Sequence, residues 1–367
     1  MMSVVERFVA LAALPSPSER EQLVARAVRE RLEDLGLDVQ ERRLPRSPDA
    51  PGNLRARLPA SAPGIPLVVC AHLDTAAPAG PIVPTIDGGI VRSAGDTILG
   101  ADDKAAVAVL LELAAAIVAE RLPHAGIELL FSVQEEIGLQ GTKAFPVQEL
   151  GARAGFVFDD ASPVGHVVVA AAYQENVEAI FAGRAEHVAT MPDDARSAIL
   201  AAAWAIASMR LGRIDADTTA NVGVIRGGTA RNVVAATCEI ETDIRSADGA
   251  TARALAEEAL ACCERAAQRT GCELHADVFE GYPGYRLAPG DAPVALACEA
   301  LEACGHRPQL VASGGGVDAN VLNAAGVPTV NLGNGMRDIH TPEESIAVAD
   351  LEAMLRVARA AVSAAQA

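Results

Sequence analysis

Gly126-Ile127-Glu128-Leu129-Leu130-Phe131-Ser132-Val133-Gln134-Glu135-Glu136-Ile137-Gly138 is a short, largely apolar run that ends on two adjacent carboxylates and a glycine. A largely apolar run of this length, without regular polar alternation, reads as a strand buried on both faces, as in a parallel sheet. A pair of glutamates by itself usually lies on a solvated face. Placed just past a buried strand, the pair can divide two tasks, one carboxylate holding a metal and the other handling a proton.

The same arrangement recurs on either side. Ile65 to Ala71 is another unbroken apolar run, and at its end stands Ala71-His72-Leu73-Asp74-Thr75. Residues two apart in an extended segment share a face, so Asp74 can accept the proton of one His72 ring nitrogen and aim the other at a metal. Ala154 to Phe158 is a third such run, ending on Asp159. Between the first two lies Leu99-Gly100-Ala101-Asp102-Asp103-Lys104, directly before a helical stretch from Ala105 to Glu120. Capping explains one aspartate at a helix start. Two in a row suggest another job for one of them, and a carboxylate with two oxygens can bridge two cations. Open α/β sheets bind ligands beyond the carboxyl ends of their strands, so His72, Glu135, Glu136 and Asp159 are expected to converge on one crevice.

Farther out, Ser3 to Leu14 reads as an amphipathic first helix. Ser18 and Glu21 are expected to form a capping box for a helix carrying Leu23, Val24, Ala27, Val28, Leu32 and Leu35, which Gly36 stops. Asp38 to Leu44 and Asn53 to Leu58 read as strands. The Pro- and Gly-rich segment from Ala76 to Gly95 is longer than a connection requires, which suggests a functional loop. From about Asn176 the character changes. Strands at Val177 to Ala182, Thr219 to Ile225 and Glu273 to Phe279, with alanine-rich helices at Ser197 to Met209 and Thr251 to Arg269, describe an inserted α+β unit. The expected organisation is residues 1–175, an inserted domain 176–282, and a return to the first domain at 283–367. The returning part contains the glycine loop Ser313 to Asp318, a strand from Val327 to Leu332, and Ile339-His340-Thr341-Pro342-Glu343-Glu344. The glycine loop lacks the Gly-Lys-Ser/Thr ending of a phosphate loop.

The bulk numbers exclude some functions. Across 367 residues, 48 acidic against 30 basic side chains give a formal charge of -18, which argues against a nucleic-acid partner. Seven cysteines without a CxxC spacing form neither a disulfide framework nor a zinc knuckle, and point to a reducing compartment. No export-type apolar region and no membrane-length apolar stretch is evident, so the expected location is the cytoplasm. His124, His166, His275 and His306 stand in no motif and read as ordinary histidines.

AHLDT, GADDK, the Glu-Glu pair, an aspartate after a strand and IHTPEE occur in that order. Together they resemble the two-metal peptidase family that includes peptidase T, glutamate carboxypeptidase, succinyl-diaminopimelate desuccinylase and aminoacylase. The likeness covers nearly the whole chain. It is strongest to the peptidase T-like branch, through LGADDKAAVAVLLE, TTANVGVIRGGTARNVV and SGGGVDANVLNAAGVPTVNLGNGM. The resemblance implies an α/β fold, a mixed-sheet α/β/α metallopeptidase domain with an inserted, smaller α+β lid and dimerisation domain. It implies that His72 and Asp159 hold one metal, that Glu136 and His340 hold the other, and that Asp102 bridges them. Asp74 would orient His72, Glu135 would act as general base and acid on a bridging water, and Asp103 would be a helix-start carboxylate with no metal role. The ions would be two divalent cations, zinc by default, with cobalt or manganese also suited to these ligands.

In the inserted domain His187 matches a histidine that helps stabilise the oxyanion across a dimer interface, and Asn232 and Arg245 match positions that bind the substrate's carboxylate or backbone. An ordinary strand-end salt bridge is the alternative for Arg245. Val188-Ala189, Ala195, Ala235 and Val317 depart from the usual pattern, and none of them is a metal-ligand position. The implied function is a cytoplasmic, homodimeric exopeptidase for short peptides, specifically a tripeptide aminopeptidase, with no nucleic-acid or membrane partner. An N-acyl-amino-acid deacylase, a desuccinylase-like amidohydrolase or a carboxypeptidase would use the same two-metal mechanism. A non-catalytic metal- or peptide-binding scaffold would not need Glu135, and a metallophosphatase would need a phosphate-binding context.

Overall fold

The computed structural model describes residues 2–190 and 195–366. The chain divides into two compact units: Met1–Ala170 with Tyr285–Ser313 and Val317–Ala367, and Ala171–Gly284 with Gly314–Gly316.

The first unit is built on a nine-stranded mixed sheet. Its centre is four parallel strands in the order Ile127–Ser132, Leu67–His72, Ala154–Asp160 and Thr329–Gly333. Strand residues 127–132 and 67–72 are buried throughout, Glu128 among them through its ion pair with Arg55. Antiparallel strands flank this centre, Asn53–Leu58 and Val39–Arg42 on one side and His166–Ala171 on the other. The sheet is therefore mixed α/β, with a parallel heart whose strands all end at one edge.

Helix Ala101–Glu120 packs on the Leu67–His72 strand and against helices Val4–Ala12 and Val348–Ala364. It is buried from Ala101 to Ile117, which is why its alanines, valines and leucines surround it instead of forming one stripe. Its first residues are not regular: Asp102 and Asp103 have non-helical backbone angles, and Gly100 before them is left-handed with φ 71. The long segment after Thr75 folds into a hairpin of Pro84–Asp87 and Ile90–Ser93, and Ser345–Ala347 adds a third strand to it.

The expected capping box of Ser18 and Glu21 does not form. Helix Gln22–Asp34 has no side-chain cap, because Ser18 Oγ donates instead to Asp74 at 2.7 Å and Glu21 accepts the Gln134 amide at 3.1 Å. Ser18 is drawn to a distant part of the chain, and Glu21 shares one oxygen between Gln134 and the neighbouring Glu19 amide, at 3.0 Å, rather than Ser18. A capping box does form between Ser3 and Glu6, at the start of the first helix.

The second unit is an antiparallel five-stranded sheet, in the order Gly212–Arg213, Thr218–Gly227, Thr237–Ser246, Tyr173–Ala182 and Glu273–Tyr282. Helices Ala198–Ser208 and Gly249–Thr270 pack together and on this sheet. Alanines and cysteines fill the space between them, Ala201, Ala205, Cys263 and Ala266 among them, because short side chains let the layers approach closely. Among the described residues no helix is long and apolar enough to cross a membrane.

Candidate metal centre

His72 closes its strand opposite Ser132 of the parallel neighbour, which brings it to the same edge as the two glutamates. Its Nδ1 lies 2.9 Å from the main-chain carbonyl of Asp74. That contact turns Nε2 toward Asp102 Oδ1 at 3.0 Å and Asp159 Oδ2 at 3.8 Å. The expected orienting residue is thus adjacent, but its nearer atom is the carbonyl, with the carboxylate at 3.5 Å. The Asp74 carboxylate has other partners: Oδ1 accepts the amide of Glu135 at 2.9 Å, and Oδ2 accepts the amide of Glu136 at 3.1 Å.

Asp102 divides its two oxygens between two histidines. Oδ1 faces His72, and Oδ2 lies 3.0 Å from His340 Nε2. His340 Nε2 is also 3.0 Å from Glu136 Oε1. His340 arrives from a turn in which it adopts a left-handed backbone, φ 66, so the loop and not a regular element aims it. Asp159 is set by Asn331 of the adjacent strand, whose side chain accepts the Asp159 amide and donates to the Asp159 carbonyl, both at 2.8 Å. Among the described residues, two groups of side chains each bring one ligand-type atom within 4.8 Å of the others: His72, Asp102 and Glu136, and His72, Asp103 and Asp159. The second group includes Asp103, which the family resemblance assigned to the helix start with no metal role.

The electrostatics of this space are lopsided. Burial, and then the charges of Asp102 and Asp103, push the Asp159 carboxyl well above its ordinary value. Burial likewise raises Glu135 and Asp103, with neighbouring carboxylates adding to it. Neither oxygen of Asp103 completes a hydrogen bond, the Ala106 amide only easing the shift. Burial works against the charge on Asp102 too, but the His340 and His72 contacts outweigh it and hold its carboxyl well down. His340 is raised to about 10, first by Asp102 and then by Glu136. Buried carboxylates crowded around two imidazoles form a set that divalent cations fit. The donors are those such ions prefer, and cationic charge relieves the repulsion that otherwise keeps protons on the acids.

Supporting residues to which the sequence assigned no role complete the picture. Asp318, buried at the start of helix Asp318–Ala324, accepts hydrogen bonds from Ser132 and Thr142 and one from Cys70 at 3.4 Å, behind the strand ends. Glu344 accepts four main-chain amides from Leu99 to Asp102. Glu344 closes the IHTPEE stretch that supplies His340, the one sequence signal that could have singled it out.

The remaining predicted residues lie in the second unit. Asn232 Nδ2 is 3.3 Å from His187 Nε2, so these two are brought together. Arg245 donates from Nε and Nη2 to the two oxygens of Asp243, each at 2.8 Å, and from Nη1 to the Gly314 carbonyl at 2.8 Å. The strand-end salt bridge therefore exists, and it occupies three of the five guanidinium donors.

Comparison with known proteins bears on this geometry. Residues 175–271 match the peptidase dimerisation domain of the M20 type, and residues 53–217 match peptidase family M28, the two matches overlapping. The chain is 35% identical to the uncharacterised protein YqjE of Bacillus subtilis over 95% of this chain and 94% of that one. Among solved structures it is similar to aminopeptidase PepT of Bacillus cereus, with 37% identity, a TM-score of 0.89, and coverage of 99% of this chain and 98% of that one. It is also similar to a tripeptidase of Staphylococcus aureus, with 32% identity, a TM-score of 0.92 and the same coverages.

Proposed function

The chain belongs to the peptidase T-like branch of the two-metal peptidases, a metal-dependent hydrolase, and from that membership we propose that it is an aminopeptidase removing the N-terminal residue from tripeptides and other short unblocked peptides. The observation that carries this reading is the division of Asp102 between His72 and His340, each 3.0 Å away. In this reading His72 and Asp159 would hold one cation and His340 and Glu136 the other, with Asp102 placed to serve both. Zinc suits this mixture of imidazole and carboxylate, and cobalt or manganese can replace it. When bound, such a pair polarises the scissile carbonyl and lowers the pKa of a shared water.

The chain's own residues do the rest. Glu135 takes a proton from the attacking water and returns it to the leaving amine, a transfer that typically contributes about 10² to 10⁴ in rate. Its raised pKa, caused first by burial, suits a group that must both accept and give up a proton. Asp74 orients His72 through its carbonyl and fixes the Glu135 and Glu136 backbone through its carboxylate. In this reading His187 would help stabilise the oxyanion across the dimer interface, and Asn232 would bind the substrate's carboxylate or backbone. Arg245 keeps one N–H on each terminal nitrogen beyond those given to Asp243 and Gly314, and in this reading these would contact the substrate's carboxylate or backbone.

The inserted segment 176–282 acts as lid and dimerisation domain in this reading. Ile199, Leu200 and Trp204, exposed along helix Ala198–Ser208, and the match to a dimerisation domain support a homodimer. Seven unbridged cysteines fit a cytoplasmic setting.

The test is hydrolysis of unblocked di-, tri- and tetrapeptides by zinc-loaded protein, alongside Glu135→Ala and an N-acetylated tripeptide. Release of the free N-terminal residue, its loss in the variant with two cations still bound, and an intact acetylated peptide are expected. Cleavage of the acetylated peptide instead would transfer the activity to deacylation or carboxypeptidase work. Light scattering that gives a monomeric mass would remove the dimer.

A further inference from the structure

We propose that Glu344 is a positioning residue for the metal centre, locking the segment that carries Asp102 to the segment that carries His340. The inference rests on the two-metal reading above and adds a residue to it.

Four consecutive amides converge on this one side chain. Oε2 accepts from Leu99 and Gly100, each at 2.8 Å, and Oε1 accepts from Ala101 at 2.6 Å and Asp102 at 3.2 Å. The left-handed backbone of Gly100 turns successive N–H groups to one side, the concave arrangement that binds anions. Here the anion is a carboxylate from 242 to 245 residues away. Without it these amides, at the irregular start of a buried helix, would lack a partner where water does not reach.

The other end of the lock is equally defined. Glu344 is 1% exposed, and its own amide donates to the Thr341 carbonyl at 3.1 Å, closing the turn at residues 341–344 that directly follows His340. Arg337 and Ser345 exchange main-chain hydrogen bonds at 3.0 and 3.1 Å and pin the base of the wider loop, residues 337–345, that contains His340. The next residues, Ser345–Ala347, are held in the three-stranded sheet. One carboxylate thus joins the backbone of one ligand, Asp102, to the loop of another, His340. The interval between the two histidine–carboxylate contacts depends on it.

The experiment uses Glu344→Gln, which keeps the shape but replaces one accepting oxygen with an NH₂ that cannot accept. Leu351→Ala, at a fully buried position of the C-terminal helix, is the control for general destabilisation. Hydrogen exchange of the peptide spanning residues 99–102 is followed in cation-free protein, Zn²⁺ affinity by calorimetry, and kcat and KM on a tripeptide. The expected result for Glu344→Gln is at least about tenfold faster exchange at 99–102, Zn²⁺ affinity about 10- to 100-fold weaker, and a fall in kcat with KM little changed. Leu351→Ala should lower thermal stability while keeping wild-type exchange at 99–102 and wild-type Zn²⁺ affinity. Wild-type affinity in Glu344→Gln, or an equal loss in Leu351→Ala, overturns the proposal. Faster exchange in Glu344→Gln combined with no Zn²⁺ uptake by the wild-type chain would instead overturn the two-metal reading, since the exchange is measured without cations.

Discussion

The amide of Glu135 donates to Oδ1 of Asp74 at 2.9 Å, so the residue proposed to move the proton is seated on the segment that carries His72. The next amide, Glu136, uses the other oxygen of the same carboxylate at 3.1 Å, and Ser18 adds a third donor at 2.7 Å. Asp74→Asn leaves one oxygen for these donors and sets an NH₂ against an N–H. A fall of about 10- to 100-fold in kcat/KM is expected, with cation affinity reduced in parallel. Steady-state kinetics with metal titration check it, and wild-type values in both would remove Asp74 from the mechanism.

Glu21 gives a signed pH effect. Burial raises its folded pKa from 4.5 to about 7, while its unfolded value stays near 4.5. In that window the folded protein holds more protons than the unfolded one, so the contribution is fully present below about 4.5 and is lost as pH rises through about 7. Glu21→Gln keeps an acceptor for the Gln134 amide and does not titrate. Urea unfolding of cation-free protein should therefore show the variant gaining on wild type between pH 5 and pH 8, and an unchanged difference would contradict the shift.

Cation loading should release protons. Burial and mutual repulsion keep the carboxyls of Asp103, Glu135 and Asp159 well above their ordinary range, and cations that bind there displace those protons. Apparent Zn²⁺ affinity is expected to rise with pH across neutrality. Calorimetry in two buffers of different ionisation enthalpy measures the release directly, and a buffer-independent heat would count against this charge state.

Gly141 has no space for a side chain. A Cβ there would lie 2.2 Å from the Val133 carbonyl and 2.5 Å from Asn53 Oδ1, and the first of these is backbone that cannot swing away. The same asparagine accepts the Val133 amide at 3.1 Å and donates to the Gly141 carbonyl at 2.8 Å, fixing the chain two residues before Glu135. Gly141→Ala should cost about 1 to 3 kcal/mol of stability and lower kcat as the Glu135–Glu136 turn shifts. Thermal unfolding and tripeptide turnover read the two effects separately.

Much of the fold and most of the candidate cluster were legible in the chain. Unbroken apolar runs marked the central strands, and a ligand-type residue after each of three runs marked the edge where they meet, because parallel strands end together. What could not be read is how the carboxylates are engaged. Ser18 and Glu21 have the spacing of a capping box yet serve Asp74 and Gln134. Asp103 follows a bridging-type aspartate in a helix-start pattern yet lies with His72 and Asp159. Arg245 matches a substrate position yet is largely occupied by Asp243 and Gly314. Sequence determines periodicity and strand ends, since both follow from neighbours a few residues apart. Which donors meet a given carboxylate depends on segments such as 18 and 74, or 99 and 344, separated by 56 and 245 residues, and only folding brings those into contact.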